Sequence, residues 1–273
     1  MSPKINSASH GANRLEATSH PPTAASPGDA LAAAPSTALT VPVIQYHMID
    51  FPSPESRVRG GFTPPQRFAR QMAHLKKRGF TFYTAAELLE YFRAKACFPP
   101  RGLAVTFDDG CTDNYTNAFP VLRELGIRAT MFVVPSCIGE TNDKTLPVGE
   151  PPRAHFTREQ MLEMSKFGIE FGSHSMNHRF LHQIPLEEAR YEIESAKNYL
   201  EDLLQKPCKT FAYPAGYHTP EVQRVIEDAG HICAFSTVYG PKDRLDLFAV
   251  NRMEIFRRDR FLCQFARKIR QLE

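Results

Sequence analysis

From Val41 onward the chain alternates between two hydrophobic rhythms. Short β-branched or aromatic runs (Val43–Tyr46, Phe80–Tyr83, Leu103–Phe107, Ala129–Val134, Ile169–Gly172, Lys209–Tyr213, His231–Ser236 and Phe248–Ile255) are separated by stretches in which apolar residues return every three or four positions. The first rhythm predicts buried strands and the second predicts amphipathic helices. Between Leu186 and Leu204, for example, Leu186, Ala189, Ile193, Ala196, Leu200 and Leu203 trace one helical stripe. Thr63–Gln66, Thr84–Glu87 and Thr157–Gln160 each fit the Thr-x-x-Glu/Gln capping box, which satisfies the unpaired N–H groups at a helix start. Thr219-Pro220 places a cap residue before a proline at the first helical position. Gly79, Gly126, Gly168 and Gly230 follow the last apolar residues of four helical segments, where a left-handed residue is commonly needed.

Eight strand-like runs alternating with about seven helices predict an α/β fold with a parallel sheet, closed as a barrel or nearly so. A doubly wound open sheet is the alternative, but no Gly-x-Gly-x-x-Gly turn follows an early strand. Both architectures place chemistry at the carboxyl ends of the strands. No internal repeat is visible beyond the alternation itself. Residues 1–40, built from Ala, Ser, Pro, Gly and Asn without an aromatic residue, read as a disordered leader, because they cannot bury enough apolar surface to offset their ordering entropy. Residues 41–273 then form the single folded domain.

Composition changes this picture little. The chain has 273 residues, with 33 Lys and Arg against 30 Asp and Glu and 42% hydrophobic residues, an ordinary globular balance. The net charge of +3 is small, and basic residues come in short clusters such as Lys76-Lys77-Arg78 and Arg257-Arg258, which argues against a dedicated nucleic-acid binder. No apolar run long enough for a membrane-spanning helix occurs. The N-terminus shows no apolar core of a secretory signal, so the chain as written is expected to stay in the cytoplasm. Cys97, Cys111, Cys137, Cys208, Cys233 and Cys263 lie far apart without a Cys-x-x-Cys pair; buried reduced thiols are expected.

Two places carry chemistry. The run Leu103-Ala-Val-Thr-Phe ends abruptly in Asp108-Asp109-Gly110, and two adjacent carboxylates at a strand end repel unless a cation or proton sits between them. One Asp capping the following helix while the other faces water is the competing account. Ile169-Glu-Phe-Gly-Ser-His174-Ser-Met-Asn-His178 then delivers two imidazoles four residues apart after another strand. One Asp and two His complete the three-ligand set that catalytic zinc uses beside a water. A helical His-Glu-x-x-His site does not fit, because Ser175 stands where the Glu belongs. A weaker third element is Phe211-Ala-Tyr213-Pro214-Ala215-Gly216, where Pro214 restricts the backbone and Gly216 permits an unusual torsion, so the turn can aim N–H groups at a ligand.

In this order the three elements resemble the polysaccharide deacetylase family, the NodB-homology carbohydrate esterases. The Thr-Phe-Asp-Asp-Gly and His-Ser-x-x-His motifs carry the likeness. Val41-Pro-Val-Ile-Gln-Tyr-His47, Phe62-Thr-Pro, Asp113-Asn-Tyr, Ala129-Thr-Met-Phe-Val and Phe211-Ala-Tyr-Pro resemble the poly-N-acetylglucosamine deacetylase branch. The resemblance spans about Val41 to Phe256 and implies a distorted (β/α) barrel of about seven parallel strands. It also implies a metal-dependent hydrolase that removes N-acetyl groups from N-acetylhexosamine glycans. Asp108 would be the general base toward an attacking water, and Asp109, His174 and His178 would hold a divalent ion, Zn2+ first and Co2+ or Ni2+ as substitutes. Tyr213, Pro214, Ala215 and Gly216 would contact substrate, with the Ala215 N–H as an oxyanion donor.

This sequence departs from the family pattern in three ways. Ala212 occupies the place of the Arg that would orient the base, no Trp exists in the chain, and no His follows His231. The general acid therefore falls by position to His47, at the end of the first strand. Two further readings stay open: a deacylase or deformylase acting on a lipid-linked sugar or other small amide, and a catalytically weak glycan-binding member of the family. The segment Pro135–Phe156, long for a β/α connection, is either a wall of the substrate groove or a surface excursion. Phe261, Phe265, Ile269 and Leu272 form one apolar stripe expected to dock a last helix on the barrel, with a basic face toward solvent or an anionic membrane.

Overall fold

A computed structural model describes residues 41–57, 59–146, 150–237, 245–256, 259 and 261–272. The leader expected over residues 1–40 and the basic cluster Arg257-Arg258 lie outside the described residues. In chain order the elements are β1 (Val43–Tyr46), α1 (Pro65–Lys77), β2 (Thr81–Tyr83), α2 (Ala85–Lys95), β3 (Gly102–Phe107), α3 (Phe119–Glu124), β4 (Thr130–Val133), β5 (Thr141–Asn142), β6 (Arg153–Ala154), α4 (Arg158–Phe167) and β7 (Glu170–Ser173). There follow α5 (Leu186–Leu204), β8 (Thr210–Ala212), α6 (Pro220–Asp228), β9 (Cys233–Ser236), β10 (Val250–Asn251), β11 (Met253–Glu254) and α7 (Leu262–Ile269).

Nine strands form one parallel sheet in the order β10-β9-β8-β7-β4-β3-β1-β11, with β2 beside the start of β3, while β5 and β6 pair antiparallel in a separate two-stranded sheet. The predicted last run, Phe248–Ile255, is broken at Arg252 into β10 and β11. Its first half pairs with β9 and its second with β1, so a single run closes the sheet into a nearly complete barrel of eight parallel strands. The closed form prevails over the open alternative. Strands β1, β3, β4, β8 and β9 are buried along their whole length, as expected of a parallel sheet covered by helices.

Local signals hold at most helix ends. Thr84 and Thr157 both form reciprocal capping boxes, Thr219 caps Val222 ahead of Pro220, and Gly79, Gly126, Gly168 and Gly230 all have positive φ. The box expected at Thr63 does not form. Helix α1 starts at Pro65 behind Pro64, while Thr63 is buried and its N–H bonds to the Met48 carbonyl; tertiary pairing takes the residue away from capping. Leu186 and Phe261 also depart from their predicted stripes and are exposed, whereas Ala189, Ile193, Ala196, Leu200, Leu203, Phe265 and Ile269 are buried. Four cysteines are buried free thiols, but Cys97 and Cys263 are exposed. Among the described residues no helix is long and apolar enough to cross a membrane.

Candidate active site

Strand β3 ends at Phe107, and the chain turns sharply through Asp109 and Gly110, both with φ of +74°. A left-handed aspartate is tolerated because its short polar side chain suits that conformation, and such strain concentrates at functional sites. Strand β7 ends at Ser173 and delivers His174 and, through a second irregular turn with positive φ at Ser175 and His178, the imidazole of His178. Each imidazole Nε2 lies 3.6 Å from the same Asp109 oxygen. That spacing is too long for a hydrogen bond. It matches the separation of about 3.4 Å between tetrahedral ligands that each stand 2.0–2.2 Å from one ion. Ligand atoms of Asp109, His174 and His178 all lie within 4.8 Å of one another.

The surroundings favour this use. His174 Nδ1 lies 2.7 Å from the Ala212 carbonyl, and His178 is hydrogen-bonded to the Lys144 backbone. Such second contacts fix ring orientation and direct the other nitrogen at a ligand. Burial lowers both imidazoles from their ordinary value, His178 to about 3, with His174 beside it adding to the effect. Neutral imidazoles keep a lone pair for a cation. Burial, then Asp108 and Asp113, push the Asp109 carboxyl well above the usual carboxylate range. A positive charge at this spot would reverse that shift.

Asp108 has the opposite environment. Arg252 donates from both guanidinium ends to its two carboxylate oxygens at 2.6 and 2.7 Å, and Gln45 Nε2 donates to Oδ2 at 2.6 Å. Burial works against its ionisation, but Arg252, then His174, outweigh it and hold the carboxyl far below its usual range. Arg252 is wholly buried and lies over the packed pair of Phe132 and Phe235 rings, 5.3 and 5.8 Å from their centroids. The guanidinium expected at the position of Ala212 is therefore present, delivered from the break between β10 and β11. Alternation in a run with a lone Arg was its only trace in the sequence. Asp113 does not cap a helix by its side chain. It accepts from the Ile49 N–H at 2.7 Å and pairs with Arg153 at 3.3 Å.

His47, Asp108, Asp109, His174 and His178 line one cavity of about 770 Å³. Burial lowers His47 from its ordinary value, partly offset by Asp108. Tyr213, Ala215 and Gly216 share the wall, whereas Pro214 is buried within the turn. Ala215 has φ of +57°. A side chain on Gly216 would meet Thr237 Oγ1 at 2.1 Å, which makes glycine necessary there. The long connection walls the groove, since its Lys144, Thr145 and Leu146 line the cavity. Arg153 ties this excursion to Asp50 at 2.7 Å, and Glu150 ties it to Ser56 and the Arg57 N–H, each at 2.6 Å.

A parallel barrel whose strand ends gather Asp, His and His beside a clamped second Asp defines a hydrolase-type centre with an open position for a cation. The family model for polysaccharide deacetylases matches residues 95–234, just over half of the chain, and the chain belongs to that family, whose members are metal-dependent hydrolases acting on N-acetyl groups. It is 27% identical to YxkH of Bacillus subtilis, named for the same family, over 79% of this chain and 71% of that protein. It is 29% identical to the poly-beta-1,6-N-acetyl-D-glucosamine N-deacetylase of Staphylococcus aureus over 70% of this chain and 66% of that protein. Among solved structures, IcaB from Ammonifex degensii superposes with a TM-score of 0.69 at 25% identity, covering 83% of this chain and 95% of that one. The Streptococcus pyogenes deacetylase PplD shares the fold, with a TM-score of 0.72 at 24% identity over 85% of this chain and 99% of that one.

Proposed function

We propose that this protein is an N-deacetylase of glycans built from N-acetylhexosamines, with β-1,6-linked N-acetylglucosamine polymers as the substrate to test first. One observation carries the reading: Asp109, His174 and His178 converge on a single point beside an ionised, clamped Asp108 at the wall of an open cavity. The residues fit a divalent ion. Three donors of nitrogen and carboxylate-oxygen type surround a point with no protein donor to the Asp109 carboxylate among the described residues, and zinc suits that set best, with cobalt or nickel as substitutes. When bound, such an ion supplies Lewis acidity and lowers the pKa of water from 15.7 to about 7.

The chain's own groups do the rest. Asp108 stays ionised and accepts the proton of the attacking water; Oδ1 receives only one end of Arg252, so a lone pair remains for that purpose. Arg252 and Gln45 hold the carboxylate plane against rotation. The Ala215 N–H, in its left-handed turn, is the donor to the developing oxyanion. His47, in the same cavity, hands a proton to the departing amine.

Purified protein loaded with zinc should release acetate from β-1,6-linked N-acetylglucosamine oligomers. Asp108→Asn should lower that rate by about 10²–10⁴-fold while zinc stays bound. Full activity in Asp108→Asn would remove it as the base. Turnover confined to lipid-linked or small amides would overturn the substrate class and leave the residue roles standing. Binding of oligomers without turnover would make the protein a glycan-binding member of the family.

A further inference from the structure

A second cavity, of about 320 Å³, lies between the start of α1 and the start of α7. Gln66, Arg67, Arg70 and Gln71 of α1 line it together with Phe51 and Leu262, and none of these residues lines the catalytic cavity. Three features make it positive and rich in donors. Helix α1 begins behind Pro64 with no side-chain cap and no acidic residue in its first turn, so its own side chains leave the positive end of its dipole uncompensated. Arg67, Arg70 and Gln71 are spaced to share one helix face. Arg70 Nε donates to the Gln66 carbonyl at 3.2 Å, and no carboxylate is among the described lining residues. Gln71 is only 1% exposed. Its Oε1 accepts from the Tyr46 hydroxyl at 2.9 Å, while its Nε2 has no partner among the described residues. A buried N–H left unpaired costs free energy that an acceptor in the cavity would recover.

We propose that this cavity is a binding site, separate from the catalytic centre, for a small phosphate monoester with an apolar substituent. A phosphate group presents three terminal oxygens. The planar fork of the Arg70 guanidinium suits two of them, and Gln71 Nε2 suits the third. Arg67 adds a second positive charge, and the uncapped start of α1 adds a field of the same sign. The apolar substituent covers Phe51 and Leu262, which are 56% and 43% exposed and gain from leaving water. A carboxylate offers one oxygen fewer to the same donors. An ammonium group meets only like charge.

Hexyl phosphate is titrated into the zinc-loaded protein by calorimetry at fixed ionic strength, beside inorganic phosphate, hexanoate and hexyltrimethylammonium. Hexyl phosphate should bind about tenfold or more tightly than inorganic phosphate and more tightly than hexanoate, and hexyltrimethylammonium should not bind. Arg70→Gln should weaken hexyl phosphate by about tenfold or more, the loss expected of a charge-assisted hydrogen bond, with Tm and zinc content unchanged. Phe51→Ala should bring hexyl phosphate down toward inorganic phosphate and leave inorganic phosphate itself unaffected. Gln71→Glu keeps an acceptor for Tyr46 but puts a carboxylate where the free donor was, so it should abolish binding. Affinity that Arg70→Gln leaves intact places the ligand elsewhere, the zinc centre included, and overturns the site. Equal binding of hexanoate overturns phosphate as the ligand class. Binding confined to phosphatidylcholine vesicles that contain phosphatidic acid, with none to hexyl phosphate, overturns the small-molecule site and makes this face a lipid contact.

Discussion

Strand β7 has a carboxylate arrangement at each end, half-buried at its start and buried at its tip, and the two are resolved in opposite ways. At its start, Glu170 accepts from Thr130 Oγ1 at 2.7 Å, Thr210 Oγ1 at 2.8 Å and the Ala86 N–H at 3.1 Å. Its neighbours are neutral donors drawn from β4, β8 and the first turn of α2. At the other end, His174 and His178 face Asp109 across gaps of 3.6 Å with no direct hydrogen bond. Buried polar groups are normally satisfied, and one left open calls for an explanation. The closed end ties strands β4, β7 and β8 to α2, and the open end leaves room for the ion and substrate proposed above.

The sharpest way to separate the two ends is to remove a ligand. His178→Ala should release zinc, measured by elemental analysis after dialysis, and lower acetate release by at least about 10³-fold, because both roles of the ion are lost at once. Undiminished occupancy would break the ligand set. Next in size is Arg252→Met, which leaves Asp108 buried with Gln45 as its remaining donor. Unfolding should become easier by about 3–5 kcal/mol in denaturant titrations. The pH profile should change as well. Arg252 depresses the Asp108 pKa, so its removal raises that pKa and moves the acid limb of kcat/KM toward higher pH. A depressed carboxyl contributes stability above its unfolded pKa and loses it as pH falls through the folded value; in Arg252→Met that contribution should be missing near neutrality. An unmoved acid limb would contradict the clamp.

Glu170→Gln tests the closed end. The Ala86 N–H cannot turn away, so the amide oxygen must serve that side and the amide NH₂ must face Thr210, whose hydroxyl can reverse and accept. The cost should be about 1 kcal/mol, or roughly 2–4 °C in Tm, with zinc affinity unchanged. A drop in zinc affinity would show that the two ends of β7 are coupled. The smallest effect is expected at Asp113. Burial is the main cause that raises its pKa to about 6, against the pull of Arg153. A folded pKa above the unfolded value is a penalty present above about pH 6 and relieved as pH falls toward 4. The wild type should therefore gain stability relative to Asp113→Asn on going from pH 7 to pH 4, and parallel stability curves would remove the assignment.

Much of this was legible along the chain. The strand rhythm found every barrel strand to within a residue or two, because parallel strands buried on both faces need continuous apolar runs. The Asp108-Asp109 and His174/His178 pairs stood out because each is a short local motif at a strand end. The excursion Pro135–Phe156 was recognisable as an unusual length of connection, and the structure resolves its two readings in favour of the cavity wall. Other features were hidden. Arg252 meets Asp108 across 144 positions, inside a run that reads as an unbroken strand and is in fact two half-strands. Thr63 looked like a cap and is held by β1's exit through Met48. Glu170 gave no signal, because its partners are threonines that any strand may carry.

Periodicity and spacing predicted the alternating strands and helices, most helix ends and the Asp and His pairs at strand ends, since each depends on contacts within a few turns of the chain; the family resemblance singled out Asp109 from Asp108. Folding in three dimensions decided where the run containing Arg252 breaks, which cation clamps Asp108, and that His47 shares a cavity with Asp109, His174 and His178. These last are meetings of side chains far apart in sequence, and only the closure of the sheet, with β10 on β9 and β11 on β1, brings them to the same mouth.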